Sequence, residues 1–134
     1  MEFKLLTPDQ EVFSGEVNLV GGRTEEGSFS LLPRHIPSVM ELESATLKVE
    51  TGEETEKFVV HGGFLFKERD ETVKVLTREA WNIADVGLLE LKSEVESLEE
   101  KLEEMDEGEE PDLYKRTRSE LEKVRLSVSL VENE

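Results

Sequence analysis

The spacing of apolar residues changes period once along the chain, near residue 85, and that change restricts the possible folds. Before it, short segments rich in β-branched and aromatic residues alternate apolar and polar positions. They are Val12-Phe13, Val17-Asn18-Leu19-Val20, Ser28-Phe29-Ser30-Leu31-Leu32, Thr46-Leu47-Lys48-Val49-Glu50, Glu56-Lys57-Phe58-Val59-Val60 and Thr72-Val73-Lys74-Val75-Leu76. A period of two is that of a half-buried strand. Turn signals stand between the segments at Gly15, Gly21-Gly22, Glu26-Gly27, Thr51-Gly52, Gly62-Gly63 and Arg69-Asp70-Glu71. Short strands spaced in this way predict a sandwich or barrel, and short turns predict antiparallel neighbours.

After the change, Ala84, Leu88, Leu91, Val95, Leu98, Leu102 and Met105 recur at alternating spacings of four and three. That is a heptad seam on a helix. Asp85 suits its N-cap. Residues 106–112 break the seam, with Gly108 suited to a helix exit and Pro111 to a helix entry. The seam resumes at Tyr114, Thr117, Leu121, Val124, Val128 and Val131, and leaves Leu113, Leu126 and Leu130 off it. Two such seams predict an antiparallel hairpin of helices about 20 residues and about 30 Å long. The fold class expected is therefore α+β: residues 1–84 form an antiparallel β-sandwich, and residues 85–134 form a two-helix hairpin.

Charge removes several function classes. Sixteen Lys and Arg stand against 33 Asp and Glu, a net charge of −17. Nucleic-acid binding needs basic stripes, and a polybasic membrane anchor needs a basic run. With no Cys there is no disulfide, thiolate metal site or Cys nucleophile. No apolar run approaches the roughly 18 residues of a spanning helix. The two His, His35 and His61, do not have metal-site spacing, and neither a phosphate-binding P-loop nor a G-x-S-x-G elbow is present. The chain is not expected to be an enzyme or to hold a metal.

Two stretches invite a partner. The second helix carries Lys115, Arg116, Arg118, Lys123 and Arg125 against Asp112, Glu120 and Glu122, a cationic element in an anionic protein. Pairing with the acids of the first helix accounts for such charges. Surface pairs contribute only about 0.2–1 kcal/mol each, so the same cations can exchange those acids for a partner's. The run Pro33-Arg34-His35-Ile36-Pro37 is a rigid, partly apolar loop, suited to docking or to a structural corner.

These residues resemble the ε subunit of F-type ATP synthases. The resemblance is carried by Leu6-Thr7-Pro8, Val12-Phe13-Ser14-Gly15-Glu16-Val17, Thr24-Glu25-Glu26-Gly27, Leu31-Leu32-Pro33-Arg34-His35-Ile36-Pro37, Gly62-Gly63-Phe64-Leu65 and Val73-Lys74-Val75-Leu76-Thr77-Arg78-Glu79-Ala80, ahead of a hairpin ending Arg125-Leu126-Ser127-Val128. It implies a sandwich of about ten strands and two antiparallel helices. It implies a non-catalytic rotor subunit that binds γ and stands on the c-ring, at the cytoplasmic face of the bacterial cell membrane. The c-ring contact would fall on Glu26, Gly27, Ser28, Arg34 and His35. The family often has an acid where Ser28 stands and Gly where Arg34 stands.

The resemblance also implies regulation. The hairpin would extend along γ into the α/β catalytic hexamer, where Lys115, Arg116, Arg118, Lys123 and Arg125 meet acids of the catalytic β subunit and block hydrolysis. Some relatives bind ATP through an Ile/Leu-Asp-x-x-Arg-Ala signature. Asp85 and Arg125 match that site, whereas Leu88 and Leu121 replace its other cations. The expectation is weak or absent ATP binding and no cofactor. An alternative reading is a stand-alone sandwich with a coiled-coil oligomerisation tail. That reading predicts a stable homodimer, and the rotor reading predicts a monomer in isolation.

Overall fold

The computed structural model describes residues 1–24, 26–34 and 36–132, and the chain divides into two compact units, Met1–Asp85 and Val86–Glu134. The first unit holds β1 (Glu2–Leu6), β2 (Glu11–Glu16), β3 (Leu19–Thr24), β4 (Gly27–Leu31), β5 (Ser38–Glu50), β6 (Thr55–Lys67) and β7 (Thr72–Asn82). All seven join one hydrogen-bonded sheet in the order β2-β1-β7-β6-β5-β3-β4.

That sheet folds over on itself. Phe13 in β2 and Phe58 in β6 are three strand positions apart, about 14 Å in a flat sheet. Their ring centroids are 5.7 Å apart. The bend is visible in which side chains reach the core. On β5 these are Met40 and Leu42, then Ala45, Leu47 and Val49; on β6 Phe58 and Val60, then Leu65; on β7 Val73 and Val75, then Ala80. Each strand thus switches its inward parity once. Leu42 pairs with Gly63 and Ser44 with His61, leaving Glu43 and Gly62 off the ladder between them. Likewise His61 pairs with Glu79 and Gly63 with Thr77, leaving Gly62 and Arg78 off. The register is unchanged across the break, so the three strands turn the corner together. Gly62 supplies the turn with a left-handed φ of 70°. Thr77 Oγ1 donates to the carbonyls of His61 and Gly62 at 2.9 and 3.2 Å, filling hydrogen-bonding capacity that the broken ladder leaves.

The result is a sandwich with β4, β3 and half of each long strand in one layer. The other halves, with β1 and β2, form the second layer. The expected count of about ten is corrected to seven strands among the described residues, because β5, β6 and β7 each run through the corner from one layer into the other. Three glycine signals read as turns lie inside strands for a related reason. Gly15 is in β2, Gly21 and Gly22 are in β3, and Gly62 and Gly63 are in β6. Gly22, Gly62 and Gly63 admit close packing rather than chain reversal; the Phe29 ring, for example, occupies the space a Cβ on Gly22 would need. Two further expectations are corrected. β1 was not foreseen as a strand, although Phe3 and Leu5 are fully buried and alternate with Lys4 and Glu2. It pairs parallel with β7, so the neighbours are not all antiparallel.

The second unit holds α1 (Leu88–Glu104) and α2 (Pro111–Glu132). Pro111 opens α2 as expected. Asp85 does not cap α1. Asp85 lies in a 3₁₀ turn, Ile83–Asp85, whose Ala84 N–H is taken by Asn82 Oδ1 at 2.9 Å, and the N-cap is Gly87. Gly108 is not the exit of α1, which ends at Glu104 with Met105 as its C-cap; the Gly108 N–H instead donates to Asp106 Oδ1 at 2.8 Å. Arg125 Nη2 reaches Glu99 at 3.1 Å and Lys92 Nζ reaches Glu132 at 2.9 Å. Moving seven residues back on α1 moves seven forward on α2, so the helices run antiparallel. Leu91 and Leu98 are buried on α1; Leu121, Val124, Ser127 and Leu130 are buried on α2. Leu130 was expected off the seam. The buried row of α2 advances by three residues at a time, about 300° per step, so it winds round the helix instead of following a heptad.

Candidate docking surfaces

The outward face of the second layer is apolar where solvent should favour polar side chains. Outward positions follow from the pairing: Glu41, Phe64, Leu76 and Leu6 form one row across β5, β6, β7 and β1. Val39, Phe66, Lys74 and Lys4 form the next. Val39 is 69% exposed, and Phe64 and Leu76 are each 46% exposed. Phe64 and Phe66 lie against each other, ring centroids 6.3 Å apart. Beside this strip runs an open groove of about 810 Å³ whose walls include Leu6, Pro8, Phe64 and Leu76, with Glu43 and Arg78 at the bend. A contiguous apolar patch rimmed by charge marks an interaction site.

Sequence reasoning missed this strip. Its signal was present in Gly62-Gly63-Phe64-Leu65-Phe66, where apolar residues occupy both parities of one strand. A strand apolar on both faces is covered on both faces, by its own fold or by a partner.

The expected c-ring residues fall at opposite ends of β4. Glu26, Gly27 and Ser28 lie at the β3–β4 turn, where Thr24 Oγ1 accepts the Glu26 N–H at 3.1 Å and donates to the Gly27 carbonyl at 3.2 Å. Arg34 lies beyond the other end, and β4 itself spans about 14 Å. His35 lies outside the described residues.

Arg34 has a partner far away in sequence. Its N–H donates to both carboxylate oxygens of Glu71, at 3.1 and 2.9 Å. Lys67, its side chain 1% exposed, brings its ammonium to within 3.7 Å of the same carboxylate. The Arg34 N–H, ahead of the Lys67 ammonium and the N-terminal amine, holds the Glu71 carboxyl below its usual range. A carboxylate with a lowered folded-state pKa contributes stability above its unfolded pKa and loses it as pH falls through the folded value. The Arg34 amide resonance is therefore expected to titrate with a midpoint below the ordinary glutamate value of about 4.3. An amide shift flat across that range, or a midpoint at or above it, would contradict the contact.

The five cations of α2 divide into two groups. Arg125 is paired with Glu99 across the hairpin, Arg118 with Glu122 at 3.5 Å and Lys123 with Glu120 at 3.0 Å. Lys115 and Arg116 are exposed near the start of α2 and have no ion pair among the described residues. Among the described residues no group of three acids or histidines is placed to hold a metal, and no helix is long and apolar enough to cross a membrane.

Residues 1–83, more than half the chain, match the sequence pattern described as the ATP synthase delta/epsilon chain β-sandwich domain. The chain belongs to the ATP synthase delta/epsilon family. The ATP synthase epsilon chain of Rubrobacter xylanophilus is 30% identical over 96% of this chain and 87% of that one. That of Anoxybacillus flavithermus is 31% identical over 77% of this chain and 76% of its own length. The fold resembles a chain in the Euglena gracilis mitochondrial ATP synthase structure of OSCP, F1 and c-ring, with a TM-score of 0.73, 24% identity and coverage of 98% of this chain and 78% of that one. As a member of the epsilon-chain group the protein is a non-catalytic stalk subunit.

Proposed function

We propose that the chain works in the central rotor of an ATP synthase, on the cytoplasmic face of the bacterial cell membrane. The sandwich docks on the γ shaft through the outward strip of Leu6, Val39, Phe64, Phe66 and Leu76. Its loops at Glu26–Ser28 and around Arg34 stand on the c-ring. Torque then passes between the ion-translocating ring and the α/β hexamer through a rigid two-layer body. The observation that supports this reading best is the apolar strip, which a solitary soluble domain would not present to water.

The hairpin acts as a brake on hydrolysis. Lys115 and Arg116, exposed and without ion pairs among the described residues, meet acids of the catalytic β subunit first. Arg118, Lys123 and Arg125 follow by exchanging Glu122, Glu120 and Glu99 for the new acids. Exposed pairs of about 0.2–1 kcal/mol each make that exchange shallow in free energy. Nucleotide has little hold on the hairpin, because Leu88 and Leu121 stand where the resemblance calls for cations; calorimetry is expected to show weak or no ATP binding. Removal of residues 88–134 is expected to raise ATP hydrolysis by the assembled complex severalfold while the shortened chain still co-purifies with γ. Unchanged hydrolysis removes the brake, and loss of co-purification removes the docking assignment.

A further inference from the structure

The segment between β4 and β5 carries Pro33 and Pro37, which stiffen a loop without fastening it to anything. Between them Arg34 has a φ of 71°, in the left-handed region that favours glycine. An arginine remains there only if its surroundings hold it, and what holds it is a carboxylate 37 positions further along the chain. Both Glu71 oxygens accept the Arg34 N–H. Glu71 is itself left-handed, with a φ of 66°. Its own carbonyl accepts the Glu2 N–H at 2.9 Å, which ties the turn to β1. Behind it Lys67 points inward beside Val73. Its ammonium donates to the Glu68 carbonyl at 2.9 Å and lies 3.7 Å from Glu71. A buried ammonium requires such partners. The contacts therefore run in series, from buried Lys67 to Glu71 to the backbone of Arg34.

This clamp sits at the edge of the apolar strip. Ser38 pairs with Lys67 and Lys67 with Val73, so the loop and the β6–β7 turn lie at the same end of the second layer. Val39, in the strip, is the second residue of β5. Leu32 and Ile36, flanking Arg34, are exposed.

We propose that Glu71 is a positioning residue for rotor docking. Through Arg34 it fixes the β4–β5 connection at the rim of the strip, so that Leu32, Arg34 and Ile36 meet the γ–c-ring rotor already ordered. The inference rests on the docking reading above and adds a residue that touches no partner. A loop ordered before binding does not have to be ordered during it, and affinity rises accordingly.

The test uses the full chain and the γ–c-ring subcomplex. Glu71→Ala is expected to weaken association about tenfold, with Glu71→Gln, which keeps one acceptor oxygen, falling between it and wild type. The Arg34 amide, followed by ¹H–¹⁵N relaxation, should lose order in the Ala variant and keep part of it in the Gln variant. In the wild type the same loss should follow acidification, as Glu71 gains a proton facing the Lys67 ammonium, the N-terminal amine and the Arg34 N–H. Undiminished affinity in Glu71→Ala, with wild type binding normally, overturns the positioning role alone. An Arg34 amide equally ordered with and without the carboxylate overturns the clamp. Failure of the wild-type chain to bind the rotor overturns the docking reading and the positioning role together. Should Glu71→Ala fold poorly, Glu71→Gln and the acid titration of the wild type decide the matter.

Discussion

Replacing Gly63 by valine is expected to lower the melting temperature by about 12 °C or more, a loss of about 3 kcal/mol or more at roughly 4 °C for each. A Cβ on Gly63 would collide with the Leu76 carbonyl oxygen and lie 2.7 Å from Thr77 Cα. Both are backbone atoms of the adjoining strand, so no side chain can swing aside. The clash falls at the corner that β5, β6 and β7 turn together, where the ladder is already interrupted. Moving β7 outward would pull Thr77 Oγ1 from the His61 carbonyl and open the core at Val60 and Val75. Total stabilities of such domains are about 5–15 kcal/mol, so the variant should be marginal. Thermal unfolding followed by circular dichroism checks this. A melting temperature within two or three degrees of wild type would mean that the long strands do not bend as described.

Phe64→Asp is expected to weaken association with γ at least about a hundredfold while leaving the fold intact. The large aromatic is lost from the centre of the strip, and a carboxylate without a partner must be desolvated there, at a cost of about 2–4 kcal/mol. Stability should change little by comparison, because Phe64 is on the outward side and 46% exposed. Leu76→Asp, its cross-strand neighbour, should act in the same direction. Lys74→Glu, one row away, should act mainly through association rate and salt dependence. A Phe64→Asp chain that melts like wild type and binds γ equally well would clear the strip of any role.

The two-unit plan was legible because its signal was the hydrophobic period itself, two in the first unit and about three and a half in the second. Pro111 at the start of α2 was legible from its missing N–H. What escaped depended on contacts distant in sequence. Gly63 reads as a turn until the backbone of β7 is seen against it. Asp85 reads as a cap until Asn82 is seen to hold the turn before the helix. β1 holds only five residues, and its parallel partner begins 66 positions after its last residue. The candidate site divides in the same way. The cations of α2 were plain from composition, but not that three are paired and two, among the described residues, are not. Arg34 stood out as a side chain where the family resemblance leads one to expect glycine. Its left-handed backbone and its hold on Glu71 belong to the tertiary fold and leave no local pattern.

We propose, above all, that an apolar outer face seats this chain on a rotating shaft. Calorimetric titration of the full-length chain into purified γ–c-ring subcomplex tests it most directly. Saturable one-to-one binding with a negative heat-capacity change, the mark of apolar burial, is expected, with loss of both in Phe64→Asp. Absence of binding by the wild type, or binding that Phe64→Asp leaves unchanged, would contradict it.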